Sequence, residues 1–72
     1  MDKFIENFKE QFIDADSIEI LEDTKFRDID SYDSLTGMAI IVMIEDDYGV
    51  RIPDDVYKNL GTPKEIFEYI NQ

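Results

Sequence analysis

Asp33-Ser34-Leu35-Thr36-Gly37-Met38-Ala39-Ile40-Ile41-Val42-Met43-Ile44-Glu45-Asp46-Asp47-Tyr48-Gly49 decides the fold. Its apolar run, 38–44, is short enough for a buried strand. Ile40-Ile41-Val42 is β-branched, and Gly37 weakens a helix. Three features favour a helix over residues 34–48, roughly four turns long. Asp33 or Ser34 can cap its start, and Gly49 stands where a helix often stops. Nothing else in the chain offers a partner strand. Tyr48 continues the stripe of Ile41 and Ile44 at helical spacing.

Upstream, residues 2–12 read as an amphipathic helix. Phe4, Ile5, Phe8 and Phe12 share one stripe at three- and four-residue spacing, and Lys3, Glu6, Asn7, Lys9 and Glu10 fill the other face. Residues 14–33 form a long connection. Ile18, Leu21, Phe26 and Ile29 have no helical period and are expected to tether it across one end of a bundle. A short helical turn is expected at 17–22. Downstream, a short helix is expected at 54–60, with Asp54 and Asp55 in its first turn, where negative charge suits the dipole. Thr62-Pro63-Lys64-Glu65 is the cleanest local signal: an N-cap, a proline at the first helical position and a glutamate completing a capping box. The last helix then presents Ile66, Phe67 and Ile70. The expected fold is an all-α four-helix bundle, three main helices plus one short one, with a long first loop.

The 72 residues make one domain, 1–72, of modest expected stability. A start at Met1 with no flanking domain reads as a stand-alone protein. The chain holds no cysteine and no histidine, which removes disulfides, thiolate chemistry and zinc-finger ligation. No leader pattern or membrane-length apolar run is present, so a cytoplasmic location is expected. A net charge of -11 argues against nucleic-acid binding and for partners with basic surfaces, with solubility as the plainer account. A hydrophobic share of 43% in periodic blocks argues against disorder.

Ser34 is the chemically informative residue. At a helix start its hydroxyl is exposed, beside free N–H groups and the positive dipole end that can hold a phosphate. Without histidine or cysteine to activate it, it reads as a group that another enzyme modifies, not as a nucleophile of this chain. Capping is the alternative role. No site brings carboxylates or lysines together for catalysis, so no enzyme activity is expected. Asp28, Asp30 and Asp33 fall short of a calcium loop, which needs a glycine turn and a distal glutamate, and no metal site is expected. Leu35, Met38 and Val42 recur on a face adjoining Ser34 and serve either partner contact or core packing. Ile40, Ile41 and Ile44 read as core. Glu45, Asp46 and Asp47, with Asp30, Asp54 and Asp55 as expected neighbours in space, form an acidic cluster that is either a recognition surface or a solvated face.

Asp33-Ser34-Leu35, followed without a gap by Glu45-Asp46-Asp47-Tyr48-Gly49-Val50-Arg51-Ile52-Pro53-Asp54, resembles the acyl carrier protein family. The order of helices extends the resemblance over nearly the whole chain. It implies a phosphopantetheine arm on Ser34, delivered from coenzyme A by a phosphopantetheinyl transferase and holding acyl groups as thioesters. Asp33 would cap the helix and help place a metal ion during transfer. Leu35, Met38, Val42, Glu45, Asp46, Asp47, Asp54 and Asp55 would meet enzymes with basic or apolar docking surfaces, and the protein would act as a monomer. Housekeeping carriers usually have acidic residues where this chain has Thr36 and Ala39, and a small residue where it has Tyr32. The resemblance therefore implies a specialised pathway, fatty acid or polyketide-like. An aminoacyl or peptidyl carrier, such as an alanyl carrier, and an acidic interaction module without modification are the competing readings.

Overall fold

The computed structural model describes residues 1–71 and is all-helical over that range. Four α-helices, α1 (Asp2–Lys9), α2 (Ser34–Tyr48), α3 (Asp54–Tyr57) and α4 (Pro63–Ile70), are joined by a long first connection that holds two 3-10 turns, Ala15–Ser17 and Phe26–Asp28. α1 and α2 run antiparallel: Phe4 packs on Tyr48 at a ring distance of 5.5 Å, while Phe12, beyond the other end of α1, lies 6.3 Å from Tyr32, just before α2.

The aromatic stripe of α1 builds the core. Phe4, Phe8 and Phe12 are buried with Phe26, Ile40, Ile44, Ile52 and Ile66. Each such side chain contributes about 1.5–3 kcal/mol by leaving water, enough to hold β-branched residues in a helix against their propensity. α1 is shorter than its stripe. It ends at Lys9, and Phe12 reaches the core from the turns that follow, where the Gln11 and Phe12 amides donate to the Phe8 and Lys9 carbonyls. A stripe records which residues are buried, and a few tight turns preserve that spacing as well as a helix does.

The turn expected at 17–22 forms earlier, at Ala15–Ser17, and Ile18 leaves it in an extended conformation. Leu21 is not a tether. It is 55% exposed, and the buried neighbour is Ile20. In a segment without a period, adjacent apolar residues cannot be ranked by spacing. Polar bonds pin the rest of this connection: Ser31 Oγ donates to Asp14 Oδ1 at 2.6 Å, the Leu21 amide to Thr24 Oγ1 at 2.8 Å, and the Lys64 amide to the Glu22 carbonyl at 2.9 Å. α3 is regular only to Tyr57. Asn59 and Leu60 continue it as tighter turns, their amides donating to the Val56 and Tyr57 carbonyls.

The caps follow their chemistry. Gly49 closes α2 at φ 68°, a left-handed conformation that glycine adopts without a Cβ penalty. Thr62 Oγ1 accepts from the Glu65 amide at 3.2 Å, and Glu65 reaches back to the Gly61 amide at 2.6 Å, one residue before the cap itself.

Candidate functional site

Ser34 is the first residue of α2, and Asp33 before it is the cap. Asp33 Oδ1 accepts from the Thr36 amide at 2.9 Å and from the Thr36 hydroxyl at 3.1 Å. These bonds, backbone before side chain, hold the Asp33 carboxyl below its ordinary value, with burial acting weakly the other way and the Leu35 amide adding to the fall. The depressed value gives a stabilising contribution that is present above about pH 4 and lost as the pH falls through the folded value. Because Asp33 does the capping, the Ser34 side chain is spared that task and stands exposed at the positive end of a four-turn helix.

Leu35, Met38 and Val42 are 73%, 62% and 52% exposed. They form an apolar stripe open to solvent, which excludes core packing as their role. The opposite face of α2 supplies the core with Gly37, Ile40, Met43 and Ile44 buried, while Ile41 is half-buried. Glu45, Asp46 and Asp47 at the far end of α2, and Asp54 and Asp55 opening α3, are all exposed. Thr36 is not on the outward face. It is buried, and its hydroxyl is committed to Asp33.

A surface groove lies between the end of α1 and the start of α2, with Ser34 outside its lining. Ile13, Ser31, Asp33, Leu35 and Thr36 contribute to its walls. Ile13 is 93% exposed there. Its only sequence signal is that it is apolar and falls just off the α1 stripe. The second feature that spacing did not reveal lies beneath the first turn of α2, where the Tyr32 and Tyr57 hydroxyls hydrogen-bond at 3.0 Å. Arg27 backs this pair. Its guanidinium stacks on Tyr57 and Phe26, and it donates to the Tyr57 and Leu60 carbonyls.

Residues 6–70 match the family described as "Phosphopantetheine attachment site". The chain belongs to the acyl carrier protein family. This carrier is 47% identical over 49 residues to the actinorhodin polyketide synthase acyl carrier protein of Streptomyces coelicolor, a stretch covering 68% of this chain and 56% of that one. It is 38% identical over 56 residues to an acyl carrier protein of Micrococcus luteus, covering 78% and 69% of the two chains, and 43% identical over 53 residues to that of Kineococcus radiotolerans, covering 74% and 65%. The matched stretch is thus little more than half of the Streptomyces relative. No solved structure matches the carrier significantly. The family's prosthetic group is a covalently attached phosphopantetheine, and an exposed serine at the amide end of a helix fits such a group. Among the described residues, no helix is long and apolar enough to cross a membrane.

Proposed function

We propose that this chain carries acyl groups on a phosphopantetheine arm attached to Ser34, in a specialised, polyketide-type pathway, and is not itself a catalyst. The observation that carries the reading is the division of labour at the start of α2: Asp33 caps the helix, and the Ser34 hydroxyl is left exposed. During loading the Ser34 Oγ bonds the pantetheine-side phosphorus of coenzyme A, the pyrophosphate P–O bond breaks and the adenosine bisphosphate half leaves. The Ser34 proton passes to a base supplied by the transferase, since the chain has no histidine or cysteine to take it. The amide end of α2 favours the negative charge that then stands there. The arm supplies a thiol on which acyl groups ride as thioesters. Leu35, Met38 and Val42 give partner enzymes an apolar strip beside the attachment point, and Glu45, Asp46, Asp47, Asp54 and Asp55 give them charge to dock against.

The likeness to a polyketide synthase carrier supports the specialised pathway, as do Thr36 and Ala39 in place of the acidic residues of housekeeping carriers. The acidic surface fits partners in the cytoplasm that present basic docking faces. Incubation with coenzyme A and a broad-specificity phosphopantetheinyl transferase should add one phosphopantetheine by intact mass, and Ser34→Ala should add none. An adduct on the alanine variant, or none on the parent, would sink the reading.

A further inference from the structure

A pair of tyrosines lies against the first turn of α2, the turn that Ser34 begins. One turn into α2 the inward position is Gly37, and the absent side chain leaves a notch in the helix wall. Tyr32 fills it. A Cβ at Gly37 would lie 2.6 Å from the Tyr32 hydroxyl and 3.6 Å from that of Tyr57. The two hydroxyls bond to each other, and behind them Phe26 packs on both rings at 5.7 and 6.1 Å, with Phe12 against Tyr32 at 6.3 Å. Arg27 fixes Tyr57 from the other side. Any chain tethered at Ser34 that entered beside the first turn of α2 would have to move this wall.

We propose that Tyr32 and Tyr57 form a specificity-determining gate that keeps a thioester-borne chain out of the core, so that the cargo is a short or oxygenated acyl group held at the surface and not a long saturated chain enclosed by the helices. The proposal rests on the carrier reading and adds the class of cargo to it. A saturated chain entering here would separate the paired hydroxyls and leave them facing methylenes, an arrangement that wastes both polar groups. It would also have to open a close-packed cluster of rings. An oxygenated chain meets a different surface. An O–H···O pair uses one of its two hydroxyl protons, and the other can be donated to a carbonyl oxygen of the cargo.

The test loads the full chain with acetyl- and octanoyl-phosphopantetheine from the corresponding coenzyme A thioesters. It compares the amide resonances of Ile40 and Ile44, and the melting temperature, between the two forms. In the parent the acetyl and octanoyl forms should agree in both. In Tyr32→Val, which no longer reaches Gly37, octanoylation should shift both amides and raise the melting temperature above that of the acetyl form, because an apolar cavity accepts an apolar chain. Tyr32→Phe, which keeps the ring and removes only the hydroxyl, is the second variant and should move in the same direction to a smaller extent. Core amides that shift on octanoylation of the fully loaded parent overturn the gate and leave the carrier reading standing. Variants that behave as the parent also overturn it. A parent that takes up no arm by intact mass overturns both.

Discussion

Arg27 lies over Tyr57, its guanidinium carbon 4.6 Å from the ring centre, and donates to the carbonyl of the same residue at 2.6 Å. A second donor reaches the Leu60 carbonyl at 2.7 Å. One side chain of the long first connection thus bonds the carbonyl that ends α3, which also accepts from the Leu60 amide, and the Leu60 carbonyl just beyond it, bracing a helix with a single regular turn that could not persist alone. The same guanidinium carbon also lies 4.8 Å from the Phe26 ring centre.

This arrangement makes Arg27 a poor candidate for replacement by lysine. Arg27→Lys keeps the charge and loses the planar two-pronged donation, so it should recover only a fraction of the loss seen in Arg27→Ala. For the alanine variant, charge-assisted bonds to two carbonyls imply a loss of about 1.5–3 kcal/mol of unfolding free energy. Urea unfolding of the three proteins checks the order. A lysine variant as stable as the parent would show that the charge alone holds α3.

The same ring sets a limit at alkaline pH. Burial pushes the Tyr57 hydroxyl above its ordinary value of 10.0, its bond with Tyr32 and the charge on Tyr32 push it further, and Arg27 pulls it back only partially. The folded state therefore keeps a proton that the unfolded chain gives up near pH 10, so stability is full below that pH and declines as the pH rises above it. Tyr57→Phe should flatten this decline while costing about 0.5–1.5 kcal/mol at neutral pH for the lost hydroxyl bond. Melting curves between pH 8 and 11 for both proteins provide the measurement, and equal slopes would refute the assignment.

Most of the fold was legible because its signals are local. The Asp33 cap, the Gly49 stop and the Thr62-Pro63 start each act within a few residues, and all three stand where their chemistry predicts. Ser34, Leu35, Met38 and Val42 were legible as a shared face, but a face cannot say which way it points. Only the packing of Ile40 and Ile44 inward turns Met38 and Val42 outward. Arg27 and Tyr57 were not legible, since a side chain bonding a carbonyl some 30 residues away leaves no period in the sequence. Tyr32 stood out only as a departure from the family pattern, and its meaning depends on Gly37.

Gly37 offers a direct check on that pairing. In an open helix, glycine to alanine stabilises by roughly 0.8–1 kcal/mol. Here the added methyl would meet the Tyr32 hydroxyl at 2.6 Å, and the ring behind that hydroxyl is held by Tyr57, Phe12 and Phe26. Overpacking of this kind costs about 1–3 kcal/mol, so Gly37→Ala should be destabilising or at best neutral. Combined with Tyr32→Phe, which withdraws the clashing oxygen, the alanine should recover some of its helical gain. A double-mutant cycle by urea unfolding should therefore show coupling, and strict additivity would mean that the two sites do not touch.

The docking face proposed for α2 combines two kinds of contact, and the two should respond differently to salt. Thr36 is buried and tied to Asp33, so adding a carboxylate there would disturb the cap before it reached any partner. Ala39 and the exposed residues of the apolar strip are the better places to change. Exposed charges such as Glu45 and Asp46 act mainly on the rate of encounter, an effect that weakens with ionic strength. Reversing both to Lys should lower kcat/KM with a phosphopantetheinyl transferase several-fold at low salt, and the deficit should shrink at high salt. Met38→Ala and Val42→Ala remove apolar contact instead, which acts mainly on dissociation, so their deficit should persist at both salt concentrations. Steady-state constants for the four proteins at two ionic strengths distinguish the cases. If the apolar variants match the parent throughout, Met38 and Val42 are a bare solvent-facing stripe that does not help recruit the enzyme.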